Sequence, residues 1–233
     1  YLESELRQHI REDMAFYIIP DAVEKDPEIS ASVKAQEAAA FQSLAAFQNE
    51  ISGNGVEPGR RLVWFGVSGT AAAQNGMYDV KAYCDALERH NDGKPLSLSI
   101  ISDDRDRFNE LFFGLKFRAH YLDWNFHTFN IALGSHDIAI LPIRRNQYTL
   151  SKSANRITTS FASGLAVCGS AIPSYEPFRN AAVFDDWDAG LGSLMADATD
   201  REARIARAKA IIAEGYSLPV IARQWLGVFE NLS

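Results

Sequence analysis

Residues 137–176 constrain the fold of this chain more than any other stretch. They read DIAILPI, then a basic and polar loop, RRNQYTLS, then KSANRITTSFASG, then LAVCGS. The run 138–143 is short, apolar and ended by Pro142 and an arginine pair, the pattern of an interior parallel strand buried on both faces. Ser151 is placed to cap a following helix that Gly164 ends, and 165–168 form a second buried run. Two buried strands joined by one helix require a crossover, so the unit predicts a parallel sheet covered by helices. No Asp or Glu falls between Asp137 and Glu176, yet Arg144, Arg145, Lys152 and Arg156 do. The positive end of the helix dipole disfavours cations in a first turn, by a few tenths of a kcal/mol each. Lys152 and Arg156, four apart on one face with Asn155 beside them, make sense there if an anion such as a phosphate binds the helix start. The plain alternative is a solvated basic turn.

The rest of the chain repeats the strand–helix alternation. Runs at 61–65, 96–101, 119–122 and 182–184 read as strands. Helical periodicity appears around Val80, Tyr83, Cys84 and Leu87, over 103–116, over 124–133, and from Trp187 onward with breaks near Asp197 and Gly215. Ahead of this regular part, 2–14 carry Leu2, Leu6, Ile10 and Met14 at helical spacing. Residues 16–19 are strand-like, and 33–51 form an Ala-rich helix with Phe41, Leu44, Phe47 and Ile51 on one face. Residues 1–60 therefore read as a helical extension, the remnant of an interdomain linker, and 61–233 as the sheet domain with its carboxyl-terminal helices. Gly66-x-x-Gly69 follows the first strand of that domain. It allows a backbone to approach a phosphate or a sugar, and is equally compatible with a simple strand-to-helix turn.

Composition excludes several classes. A net charge of −7 over 233 residues argues against a nucleic-acid partner, whose binding face should be basic. No apolar run approaches the roughly 20 residues needed to span a bilayer. Cys84 and Cys168 fit as reduced packing residues, the usage expected of a cytoplasmic protein. His9, His90, His120, His127 and His136 have no metal-ligand spacing, so no metal and no cofactor is expected. Acid clusters at 103–106 and 185–188 read as helix starts, where acids favour the dipole. Neither a Gly-x-Ser-x-Gly nucleophile turn nor a Walker A loop occurs.

The order PDAVE, LVWFG, DIAILP, KSANR, SGLAV, Tyr175-x-x-Phe178 and a last helix with Trp225 resembles the carboxyl-terminal, donor-binding half of bacterial GT-B glycosyltransferases that carry a Lys-Ser-x-Asn-Arg string. The resemblance covers residues 17–231. It implies a Rossmann-like sheet of about six parallel strands in the order 3-2-1-4-5-6. It also implies a nucleotide-sugar as substrate, its phosphates near Gly66, Ser68, Gly69, Lys152, Ser153, Asn155 and Arg156. The base and ribose would lie near Asp123, Trp124, Ile143 and Arg144, with Glu176 in a loop within reach. Many retaining members carry two glutamates across the phosphate helix, and the matching positions here are Ser151 and Thr159. The acceptor surface and the general base belong to an amino-terminal domain that residues 1–60 cannot supply. The chain, which opens on Tyr1, is expected to be a fragment of a glycosyltransferase, inactive alone. A module that binds the nucleotide-sugar or phosphate without catalysis is the alternative. A flavodoxin- or receiver-like signalling domain ranks below both, because the loop after Phe65 is Gly-Val-Ser-Gly rather than acidic.

Overall fold

In a computed structural model that describes residues 17–23, 27–53, 55–91 and 93–232, six parallel strands form one sheet. These are β1 (Arg61–Phe65), β2 (Ser97–Ser102), β3 (Arg118–Asp123), β4 (Ile138–Leu141), β5 (Ala166–Gly169) and β6 (Val183–Phe184). Their order is β3-β2-β1-β4-β5-β6, the doubly wound order expected from the resemblance. β1 is paired with β2 on one side and β4 on the other, Leu62 opposite Ile138 and Val63 opposite Ala139.

Side chains alternate along each strand, so one strand feeds two cores. Val63, Phe65, Ala139, Leu141 and Val167 face one way, while Leu62, Trp64, Ile138, Ile140 and Cys168 face the other. The first core is closed by α2 (Ala38–Ser52), α6 (Phe129–Leu133), α8 (Asn155–Ala162) and α10 (Ala198–Gly215). The second is closed by α3 (Met77–Lys81), α4 (Cys84–His90), α5 (Arg105–Phe112) and α9 (Ala189–Ala196). Each large apolar side chain buried this way contributes roughly 1.5–3 kcal/mol. Leu44, Phe47 and Ile51 of α2 are among them, so the first core reaches back ahead of β1.

The amino-terminal end of the sheet is tied by polar groups. Arg61 donates to Asp137 through Nε at 2.9 Å and Nη2 at 2.8 Å, and its backbone amide donates to the same carboxylate at 3.1 Å. His136 is buried beside them. Its Nδ1 can only donate to the Ala132 carbonyl at 3.0 Å, which leaves Nε2 to accept the Ser99 hydroxyl at 2.8 Å. Burial pushes this imidazole down to about 4, and the ring is neutral.

Local detail departs from the sequence reading where short-range polar chemistry intervenes. Ser151 does not cap the start of the helix that follows. Asn146 caps instead, accepting from Thr149 N at 2.9 Å, and starts the short helix α7 (Gln147–Leu150) inside the expected loop. Ser151 is then its last cap, and α8 begins four residues later. The expected helix over 124–133 shrinks to α6 because Asn125 Oδ1 accepts from His127 N at 3.0 Å, an Asx turn that holds the chain out of helix. The expected helix 33–51 is two, α1 (Ala31–Gln36) and α2, meeting at Glu37. The run around Val80 to Leu87 likewise divides into α3 and α4. Residues 17–19 form no strand and pair with no strand of the sheet; just beyond them Val23 N bonds to Tyr216 O at 2.9 Å. The expected helix with Leu2, Leu6, Ile10 and Met14 lies outside the described residues. Breaks do fall at Asp197 and before α11 (Leu218–Leu232).

Candidate functional site

β1 leads into helices on one face of the sheet and its neighbour β4 into α8 on the other. Connections that part in this way leave a crevice at the strands' carboxyl ends. One lip is the loop 66–76. Gly69, at φ +76°, is required by the loop itself, since a Cβ there would lie 2.1 Å from the Asn75 carbonyl oxygen. Asp103 Oδ1 takes the Ser68 amide at 2.7 Å and Arg107 donates to Gly69 O at 2.5 Å, so both residues are held within the protein. Gly66 is different. A Cβ there would stand 3.3 Å from the Trp64 ring and 3.7 Å from Arg156 Nη1, which places the guanidinium directly over this glycine.

The other lip is the loop after β4 and the start of α8. Ala154 gives α8 no side-chain cap and its first turn holds no acid. Its first amides therefore lack the usual side-chain partner. Lys152 sits over the Tyr148 ring, Nζ 5.6 Å from its centroid. Partial burial, and then the Arg156 charge, lower its pKa, while Asp79 opposes them. Burial raises the pKa of Tyr175, and the adjoining Arg156 guanidinium offsets part of that. No described carboxylate comes within ion-pair distance of Lys152 or Arg156.

Two cavities flank the turn that joins these cations. One, of about 210 Å³, has Phe65, Trp124, Phe126 and Phe129 for walls and Asn155, Arg156 and Thr159 on its polar side. The other, of about 450 Å³, lies between Ile18–Pro20, Pro173, Pro177 and Tyr216, with Ser151, Lys152 and Ser153 along one side. Gly66, Trp124, Lys152, Asn155 and Arg156 are thus drawn together, with Ser153 at the edge of the larger cavity. The other sequence candidates are engaged within the protein. Asp123 pairs with Arg105 at 2.9 Å. Ile143 is buried, and its amide donates to Ser170 Oγ at 2.9 Å. Arg144 keeps an exposed side chain and gives its amide to Asp79 at 2.9 Å. Glu176 pairs with Arg179 at 2.7 Å on the surface of the 3₁₀ turn Pro173–Phe178.

Asp79 is the residue that sequence reasoning passed over. It is 4% exposed, the one carboxylate in the buried set among the described residues. Its only sequence signal is an acid three residues after Gly76, which reads as an ordinary helix start. No group of three His, Cys, Asp or Glu side chains among the described residues could hold a metal ion.

No family model matches the sequence, and no curated protein does. Solved structures do match in fold. WaaG, a glycosyltransferase involved in lipopolysaccharide biosynthesis, superposes with a TM-score of 0.60 at 17% identity, over 94% of this chain and 59% of that one. Anabaena Alr3699/HepE, solved in complex with UDP and glucose, gives 0.58 at 12% identity, over 81% and 52%. The trehalose-6-phosphate synthase OtsA gives 0.53 at 11%, over 83% and 48%. The chain therefore has the Rossmann-like fold of GT-B glycosyltransferase domains, and spans about half to three-fifths of the length of these structures.

Proposed function

We propose that this chain is the donor-binding half of a glycosyltransferase that moves a sugar from a nucleotide-activated donor. The observation that carries the reading is the pair Lys152 and Arg156. Arg156 stands in the first turn of a helix with no side-chain cap, beside a glycine that admits its guanidinium, Lys152 lies in the turn just ahead of that helix, and no described acid lies within ion-pair distance of either. An arginine fork and a lysine point charge at a helix terminus form an anion site.

The adjoining cavity fits the rest of a nucleotide. Trp124, Phe126 and Phe129 offer faces on which a base stacks, and Asn155 and Arg156 reach polar atoms from the opposite wall. Breaking the sugar–phosphate bond leaves negative charge on the departing diphosphate. Cations and helix amides fixed before the reaction stabilise that charge without reorganising. Lys152 and Arg156 take this role. The acceptor has to be held in line with the anomeric carbon, and such positioning accounts for roughly 7–11 kcal/mol of a barrier. We place it on a part of the parent protein outside this chain, so this chain alone binds donor and does not turn it over.

A second reading keeps the binding and drops the catalysis. It is favoured by Ser151 and Thr159, which stand where the resembling family carries two glutamates. Thr159 lines the aromatic-walled cavity, so a ribose there would meet a hydroxyl rather than a carboxylate.

Calorimetry with UDP, ADP, GDP and TDP tests the shared core of both readings. At least one should bind weakly, and Lys152→Ala/Arg156→Ala should abolish the signal. Unaltered binding in the double variant, or no binding of any of the four by the wild-type chain, rejects the phosphate site. Turnover of a nucleotide-sugar by this chain at enzyme-like rates would overturn the half-site reading.

A further inference from the structure

A buried carboxylate beside an anion site is an expensive choice, and Asp79 is one. Removing a carboxylate from water costs free energy that hydrogen bonds recover only in part. If capping were its whole task, Ser or Asn at this position would serve without a charge. Its bonds show what else it does. Oδ2 accepts the Gly76 amide at 3.1 Å and Oδ1 accepts the Arg144 amide at 2.9 Å. One side chain therefore ties the loop after β1 to the loop after β4, the two lips of the crevice.

The charged groups that act on it are Lys152, from the turn between α7 and α8, and Arg156 of α8. From the loop after β4 it accepts the Arg144 amide, and from the end of the loop after β1 the Gly76 amide. Lys152 and Arg156 in turn have no described acid within ion-pair distance, and Asp79 is the acid whose charge acts on Lys152.

We propose that Asp79 is the resident counter-charge of the phosphate site: it holds Lys152 and Arg156 inward while the crevice is empty, and takes up a proton when a diphosphate arrives. The inference rests on the phosphate reading of Lys152 and Arg156 above. An arriving diphosphate draws both cations to itself and adds negative charge near a group already desolvated. Burial alone raises the Asp79 pKa, and the two cations and two amides are what hold it down. Withdrawing the cations leaves the two amides alone against burial, and protonation then becomes the way to remove the remaining charge. Asp79 is a positioning residue in this account; the phosphate is touched by Lys152, Arg156 and the α8 amides.

The experiment uses whichever nucleoside diphosphate the wild-type chain binds, titrated in buffers of different ionisation enthalpy to count protons. Wild type should take up protons on binding, and its affinity should rise about fivefold to tenfold between pH 7.5 and 5.5. In Asp79→Asn the uptake should vanish and the pH slope flatten, with affinity at pH 7.5 no weaker than in wild type. The ligand's own ionisation is common to both proteins and cancels in the difference. A variant weakened equally at every pH, with its proton count unchanged, would show a purely structural anchor and overturn the proposal. Should the variant not fold, the wild-type count decides. Uptake no greater than the ligand's own ionisation accounts for sinks the idea, even where nucleotide binding itself stands.

Discussion

At the amino-terminal end of the sheet, Arg61 and Asp137 close on each other through two side-chain hydrogen bonds and one from the backbone. At the carboxyl-terminal end, Lys152 and Arg156 face the crevice with no described acid at bonding distance, and Asp79 gives its oxygens to backbone amides instead. His136 repeats the first pattern, with both ring nitrogens bonded inside the protein. The difference separates two uses of polar groups on one scaffold. Groups satisfied internally fix which strands are neighbours. At the other end the cations carry charge that no described carboxylate pairs at close range.

The contrast can be broken from either end. The largest effect expected is on ligand binding. Each charge-assisted hydrogen bond to phosphate is worth about 1.5–3 kcal/mol, so Lys152→Ala/Arg156→Ala should weaken nucleotide binding more than about a hundredfold. Its melting temperature should barely move, because relieving the mutual repulsion of the two cations offsets Asp79's loss of its counter-ions.

The next largest lies at the opposite end and concerns pH. The folded pKa of His136, about 4, lies below its ordinary 6.5. Between those values the unfolded chain binds a proton that the folded chain refuses. This contribution is complete above pH 6.5 and is lost as pH falls towards 4, in all about 3 kcal/mol. Thermal melts at pH 7 and 4.5 should differ less in His136→Gln than in wild type, and equal differences would refute the assignment.

Asp137→Ala should cost about 2–3 kcal/mol by leaving a partly buried guanidinium unpaired, a fall of about 5–10 °C in melting temperature. Nucleotide affinity should be untouched. A change in affinity with no change in melting would reverse the roles given to the two ends. The smallest effect expected is that of Trp124→Ala. Losing one stacking face should weaken nucleotide binding by about 1–2 kcal/mol, roughly fivefold to thirtyfold, with melting unchanged since Trp124 is half exposed.

The sheet was legible in the sequence because interior parallel strands are continuous apolar runs, and the six runs that form it stand out between helical stretches. Arg156 was legible for the opposite reason, a cation in an acid-free first turn that contradicts the dipole; Lys152, read as part of the same turn, instead follows the end of α7, because α8 starts only at Asn155. Asp79 was not, because its importance depends on the Arg144 amide, 65 residues away, and on cations from a third segment. Ser151 was misread as a cap because α7 is four residues long, too short to leave a period. Residues 17–19 have the composition of a strand, but a strand also needs a partner, and composition does not name one. Gly69 looked like part of a ligand loop, and its conformation is accounted for by Asn75 alone.

The position of β1 between β2 and β4 bears on how the chain is made. β2 follows β1 closely, but the strand that covers its other side arrives only with Asp137, 76 residues after Arg61. During synthesis, β1 and β2 can pair early and leave one flank of β1 as an unpaired ladder of amides and carbonyls until the ribosome has released β4. Loop closure over that distance is slow relative to local pairing, and an open apolar edge invites association with other nascent chains. Ribosome-bound chains arrested before Asp137 should therefore depend on chaperones in a way that chains arrested beyond β5 do not.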